Sequence, residues 1–288
     1  MSESDEHDLT PFSPQEQQGR VVHGEYVFSK RAINEATQAG PSIGPHFKKE
    51  AIKPLDVTKL STFLAMPCGS NLPWQTVRSL MNTVRACMHN DIKLEVAMVA
   101  ESSIVTLARS RALHGFLEAE DYSRIFWIDS DIVWTPDDFM RVLQLSHHYE
   151  IVCAGYPMRQ SDRPNSYIVQ HPDMKNFEVN GAGLVKIDGT GLGFTCIQRR
   201  VIDQFVKTKV LLQDQVNKVD SMYDAFRIDA FEGHVRGEDA AFFADLRELG
   251  YDIWLDPCIN LGHVGQKVYR GNMVEALGLQ HAYGLKEK

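Results

Sequence analysis

An apolar run that stops in two carboxylates, Arg124-Ile-Phe-Trp-Ile-Asp-Ser-Asp131, is the stretch of this chain best suited to chemistry. A run of that composition reads as a buried strand, and it delivers Asp129 and Asp131 to the edge of a sheet, where open α/β folds bind their ligands. Two hard oxygen donors there suit a divalent cation carrying a phosphorylated substrate. The competing duty of an acidic residue after a strand is to cap the next helix. Asp137 and Asp138 are better placed for that, because Thr135-Pro136-Asp137-Asp138 precedes the periodic run Phe139, Val142, Leu143 and Leu145.

Other groups stand at positions that chemistry can use. On the stretch from Ser103 to Phe116, at about 100° per residue, Val105, Ala108, Ala112 and Phe116 share one face. Arg109 lies at the edge of that face and Arg111 points away, so Arg109 either reaches into a site or serves as a solvated or structurally paired arginine. Glu238 and Asp239 open a helical run, where carboxylates also favour the positive helix end. His263, in Leu261-Gly-His-Val264, is one of 11 histidines and reads equally as a metal ligand or as an ordinary histidine. Asp188-Gly-Thr-Gly-Leu-Gly-Phe194 is rich in glycine, but no Gly-Lys-Ser/Thr follows it, so it is not a phosphate loop of that type. Its glycines allow a close backbone approach or a bulge.

The elements that must position these residues follow from periodicity. The pattern predicts a strand over Thr62–Met66, a loop over Pro67–Pro73, an amphipathic helix from Trp74 to about Asn90, a strand over Ile92–Ala100 and a helix from Ser103 to about Ala119. The Ile125–Ile128 strand with its two carboxylates comes next. Three strand-helix units in succession predict a parallel sheet with crossover helices, an α/β, Rossmann-type architecture with a mixed, mainly parallel central sheet. After Ile151–Gly155 the strand-like runs shorten, at Tyr167–Gln170 and Leu184–Ile187, with helical runs at Arg200–Val206 and Asp239–Leu249. The expected organisation is an N-terminal extension over 1–58, partly flexible, and one domain over 59–288, with a nucleotide-binding half at 59–157 and an acceptor-binding half at 158–288. Within the extension, Val21, Val22, Tyr26, Val27 and Phe28 are able to form a short strand.

Composition narrows the classes. In 288 residues, 43% hydrophobic content is ample for a core, and a net charge of −8 disfavours nucleic acid as a partner without excluding it as an acceptor. The first residues have no basic and apolar signal pattern, and no apolar stretch is long enough to span a bilayer. The five cysteines are widely spaced, mostly in apolar runs, and form no C-x-x-C pair; they predict buried thiols in a cytoplasmic protein.

Taken in order, Phe126-Trp-Ile-Asp-Ser-Asp131 on the third strand, the glycine-rich segment, Gly237-Glu-Asp-Ala-Ala-Phe-Phe243 and Leu261-Gly-His-Val264 resemble the GT-A glycosyltransferases over roughly Thr62 to Gly265. The resemblance implies a metal-dependent enzyme that moves a sugar from a nucleotide-sugar donor, with a UDP-sugar expected, to an unidentified hydroxyl acceptor. It implies Mn²⁺ or Mg²⁺ held by Asp131 and His263, with Asp129 touching the ribose or reaching the metal through water. Arg109 is then a donor contact. Pro67, Cys68, Gly69, Ser130 and Gly191 border the donor, and Glu101 contacts base or ribose. In similar inverting enzymes a carboxylate of the Glu238–Asp239 pair is the general base, and Asp239, the second member, is the expected one.

Two other classes compete. A haloacid-dehalogenase-type phosphatase also has an apolar strand ending in Asp-x-Asp, but normally as the first strand of its domain, whereas two strand-helix units precede it here. A glycosyltransferase-like binding module without turnover would have less use for all of these carboxylates, the arginine and the histidine together.

Overall fold

The computed structural model of the chain describes residues 20–22, 25–27, 59–100, 104–159, 166–171, 173, 177–213 and 221–283. The extension expected over 1–58 lies outside the described residues except for a hairpin of β1 (Arg20–Val22) and β2 (Glu25–Val27), in which Val21 pairs with Tyr26. Glu101 lies outside them as well.

From Thr62 the chain alternates strand and helix: β3 (Thr62–Pro67), α1 (Trp74–His89), β4 (Leu94–Val99), α2 (Val105–Glu118) and β5 (Arg124–Ile128). Helical crossovers bring the strands back parallel, with Thr62 of β3 opposite Leu94 of β4 on one side and Arg124 of β5 on the other. Then come β6 (Ile132–Val133), α3 (Pro136–His148), β7 (Ile151–Cys153), β8 (Val169–Gln170), β9 (Val185–Ile187), β10 (Gly189–Thr190), β11 (Phe194–Gln198) and α4 (Arg199–Val206). Two hairpins, β12 (Leu211–Gln213) with β13 (Ser221–Tyr223) and β14 (Asp229–Phe231) with β15 (His234–Arg236), lead into α5 (Glu238–Glu248). The described chain closes with β16 (Ile253–Leu255), β17 (Gly262–Val264), β18 (Val268–Tyr269) and α6 (Met273–Ala276).

The central sheet has the order β4-β3-β5-β11-β7-β16-β9. Its mixed, mainly parallel character agrees with the expectation: β11 and β9 run against the other five strands. The later residues do not simply extend one edge, because β11 inserts between β5 and β7. Strand alternation divides the core into two layers. Leu64, Met66, Phe126 and Ile128 pack with Leu80 of α1 and Phe139 of α3 on one face, while Phe63, Ala65, Ile125 and Trp127 pack with Phe116 of α2 and Phe242 of α5 on the other.

Val105 does not share the buried face of α2 as expected. It is 41% exposed, because the first residue of a helix has no earlier turn beneath it and its side chain leans past the N-terminus. All five cysteines are free, and four of them are buried. Among the described residues no helix is long and apolar enough to cross a membrane.

The helix after the carboxylate loop is capped as its sequence predicts. Thr135 is the N-cap, its hydroxyl accepts from the Asp138 amide at 3.2 Å, and the Asp138 carboxylate accepts from the Thr135 amide at 2.8 Å. Thr135→Ala is expected to cost about 1 kcal/mol in a denaturant titration. Burial pushes the Asp138 carboxyl up from 3.8 to about 6, against the hydrogen bonds from Thr135. A carboxyl whose pKa is raised by folding stabilises fully below its unfolded value, and that contribution is lost as the pH rises through the folded one. Wild-type stability relative to Asp138→Asn should therefore fall as the pH climbs from about 4 to about 6. Parallel pH profiles of melting temperature for the two proteins would show that folding leaves the Asp138 carboxyl at its ordinary value.

Candidate active site

The register of the sheet gathers the chemistry at one edge. Ala65 of β3 stands opposite Trp127 of β5, so the parallel strands release Pro67-Cys68-Gly69 and Asp129 past the same ends. The antiparallel β11 begins there too, and the Asp129 amide donates to the Gly193 carbonyl at 3.0 Å. Beyond Asp129 the chain turns through Ser130, with the Ile132 amide donating back to the Asp129 carbonyl at 3.2 Å. α1 secures the far side of this turn: the hydroxyls of Thr76 and Ser79 donate to the carbonyls of Ile132 and Trp134 at 2.9 and 2.7 Å.

His263 reaches Asp131 through a small second sheet. β6 pairs with β17, His263 stands opposite Ile132, and the Val264 amide donates to the Asp131 carbonyl at 2.8 Å. The imidazole Nε2 lies 3.3 Å from Asp131 Oδ2, and its Nδ1 lies 2.8 Å from the Pro157 carbonyl. A carbonyl can only accept, so Nδ1 carries a proton, and a ring with no second proton would present its Nε2 lone pair to a carboxylate. Two electron-pair donors facing each other are stable with positive charge between them, either a ring proton or a metal ion.

Burial works against the charge of Asp131, yet His263, when its ring is protonated and donates from Nε2, together with the charge of Arg159, holds its carboxyl below the ordinary value. Among the described residues no group of three or more His, Cys, Asp or Glu side chains is arranged to hold a metal. The Asp131–His263 pair does fit the kind of cation site in which one or two protein ligands share the ion with substrate phosphates and water.

Asp129 faces elsewhere. Its Oδ1 takes an ion pair from Arg109 Nη2 at 3.0 Å, and its Oδ2 accepts from the Tyr156 hydroxyl at 3.3 Å. Arg109 is 3% exposed, and its other terminal nitrogen pairs with Asp239 and, at 3.5 Å, with Glu238. One buried guanidinium thus joins the carboxylate of the strand-end loop to the pair that opens α5. Arg227 and Lys209 both pair with Asp245, two turns along α5, tying the hairpin segment to that helix. Asp129, Asp131, Glu238 and Asp239 together face two guanidinium groups, those of Arg109 and Arg159, leaving two negative charges in excess with His263 neutral. That imbalance is electrostatically suited to a divalent cation.

The glycines of the 188–194 segment make room for these side chains. A Cβ on Gly193 would lie 2.4 Å from Asp129 Oδ2, and one on Gly191 would lie 2.2 Å from the Tyr156 hydroxyl. The close approach expected of this segment is therefore to the chain's own Asp129 and Tyr156. At the end of β3, burial pushes the Cys68 thiol up to about 11. Its amide is bonded to Val99, while Gly69 is exposed with open space around it. Cys68 itself is buried, and its thiol donates to the Met66 carbonyl at 3.2 Å.

Two residues of this edge escape sequence reasoning, Tyr156 and Arg159, both in the irregular stretch after β7. A tyrosine and an arginine directly beyond the end of a buried strand were the available signal.

No protein-family model and no curated protein matches this chain. Among solved structures, A197 from STIV shares 20% identity at a TM-score of 0.47, over 74% of this chain and 94% of that one. GalNAc-T7, in a crystal structure with UDP, GalNAc and Mn²⁺, shares 12% identity at a TM-score of 0.44, over 74% of this chain and 45% of that one.

Proposed function

We propose that this chain is a metal-dependent glycosyltransferase that moves a sugar from a nucleotide-sugar donor, a UDP-sugar, to a hydroxyl. The observation that carries the reading is the pairing of Asp131 with His263, whose tautomer is fixed by Pro157, on the same strand-end loop that Arg109 joins to Glu238 and Asp239. Asp131 and His263 would hold Mn²⁺ or Mg²⁺, which when bound supplies Lewis-acid stabilisation of the charge growing on the departing diphosphate. Asp129, held by Arg109 and Tyr156, is oriented for the ribose or for water. Pro67, Cys68, Gly69 and Ser130 border the donor mainly through backbone atoms, and Gly191 makes room for the Tyr156 hydroxyl that holds Asp129.

Asp239 is the base that takes the acceptor's hydroxyl proton. Its pairing with Arg109 fixes its direction, and its place on the first turn of α5 sets it at the positive end of the helix. Glu238, farther from the guanidinium at 3.5 Å, supports the same charge. A phosphatase of the aspartyl-phosphate type draws less support, because both carboxylate oxygens of Asp129 are engaged, one by Arg109 and one by Tyr156. Such chemistry needs a free nucleophilic oxygen.

Incubation of the full chain with a panel of nucleotide sugars and Mn²⁺ tests the reading. Intact nucleoside diphosphate should be released from one of them, slowly with water alone, while p-nitrophenyl phosphate is left untouched. Phosphate release from that ester together with an acyl-phosphate trapped on Asp129 would replace the proposal with the phosphatase.

A further inference from the structure

Arg159 is the second cation of the site, and it differs from Arg109 in every respect that matters for movement. Its side chain is 52% exposed, and Nη1 sits 3.0 Å from Asp131 Oδ2, the same oxygen that His263 Nε2 approaches at 3.3 Å. Its hydrogen bond from Nη1 to the Val264 carbonyl is long at 3.4 Å. The backbone beneath it is anchored: Pro157 bridges to Tyr167, and the Met158 amide donates to the Ser166 carbonyl at 2.7 Å. The stem lies over Gly265, where a Cβ would come within 3.0 Å of Arg159 Cδ. A half-exposed guanidinium on a fixed base, over a floor cleared of side chain, is free to change partners at little cost.

We propose that Arg159 is a diphosphate-binding residue that occupies Asp131 as a substitute cation until a divalent ion and a nucleoside diphosphate arrive together. This rests on the glycosyltransferase reading above. A guanidinium and a divalent ion cannot share Asp131 Oδ2, because like charges so close repel strongly. Ion binding therefore displaces Arg159. The phosphate oxygens that the ion brings with it are the strongest partner in reach, since the planar fork of an arginine matches a phosphate in two parallel hydrogen bonds. Arg159 thereby opposes the bare ion and favours the ion with its nucleotide, which couples the two binding events.

That coupling gives Arg159→Gln effects of opposite sign on two ligands, read in the full chain without any turnover. Mn²⁺ alone, followed by the loss of its free-ion paramagnetic signal, should bind several-fold more tightly to Arg159→Gln than to wild type, because no side chain has to leave Asp131. UDP at saturating Mn²⁺, followed by calorimetry, should bind about tenfold more weakly, the usual scale for losing one charge-assisted phosphate contact. Arg159→Lys should lie between the two in both measurements. Melting curves of each variant establish that it is folded, as expected for an exposed position. Mn²⁺ affinity unchanged or weakened in Arg159→Gln, or UDP affinity unchanged, overturns the role of Arg159 while wild-type binding keeps the glycosyltransferase reading intact. A wild-type chain that binds no UDP with Mn²⁺ overturns both.

Discussion

Asp131→Ala should abolish metal-supported binding of UDP, lowering affinity by about a hundredfold or more, while the protein remains folded. The expectation follows from what Asp131 alone supplies. Its carboxyl is held below the ordinary value against the cost of burial, because a protonated His263 and Arg159 favour the ionised form. His263 by itself offers one nitrogen, and Asp129 is already held by Arg109 and Tyr156. Removing Asp131 also frees Arg159, so UDP alone should keep a weak, metal-independent affinity, and the response to Mn²⁺ should vanish. Thermal stabilisation of wild type and variant by UDP, with and without Mn²⁺, measures this directly, because a ligand of the folded state raises stability with the logarithm of its concentration. Thr135→Ala, which loses only a helix cap, is the control for general destabilisation and should keep the full Mn²⁺ response. Equal UDP affinity with and without metal in wild type would remove the metal from the mechanism.

How much of this was readable beforehand depends on whether a feature is local. The strand and helix order from Thr62 to Ile128 follows from apolar periodicity, and the structure places those elements within a residue or two of the pattern. The cap of α3 was equally legible, because Thr135 and Asp138 stand three residues apart and need nothing else. The sheet order was not. Phe194–Gln198 looks like any short apolar run, and its insertion between β5 and β7 depends on pairing with residues far away in sequence. The site divides along the same line. Asp129 and Asp131 announce themselves because the strand that delivers them is contiguous. His263 could be tied to Asp131 only by family resemblance, since β6 and β17 are two and three residues long and carry no periodic signal.

Arg109 shows where one-dimensional reasoning ends. Its helical position put it at the edge of the buried face, and the structure buries it. Periodicity, however, cannot say that its partners are Asp129 from one half of the chain and Glu238 and Asp239 from the other. Tyr156 and Arg159 lie where there is no period to read. Their importance comes from the end of β7 reaching the same sheet edge as the end of β5, a consequence of β11 pairing with both strands.

Asp239→Asn should leave metal-dependent UDP binding near that of wild type and lower turnover by roughly 10²-fold or more. The amide has almost the shape of the carboxylate and can still stand at the first turn of α5, so the fold and the donor side have little reason to change. What it cannot do is accept the hydroxyl proton of an acceptor as the new bond forms. Arg109 sharpens the contrast with Glu238: the guanidinium is in closest contact with Asp239 and 3.5 Å from Glu238, so the first is the more firmly fixed in direction. Glu238→Gln should therefore be the milder change, about tenfold or less, acting through the field at Asp239. Single-turnover measurements at saturating nucleotide sugar separate this loss from any change in donor affinity. The reverse ranking of the two variants would move the base to Glu238. Full turnover in both would remove the pair from proton transfer and leave it to orient the acceptor, as a retaining enzyme requires.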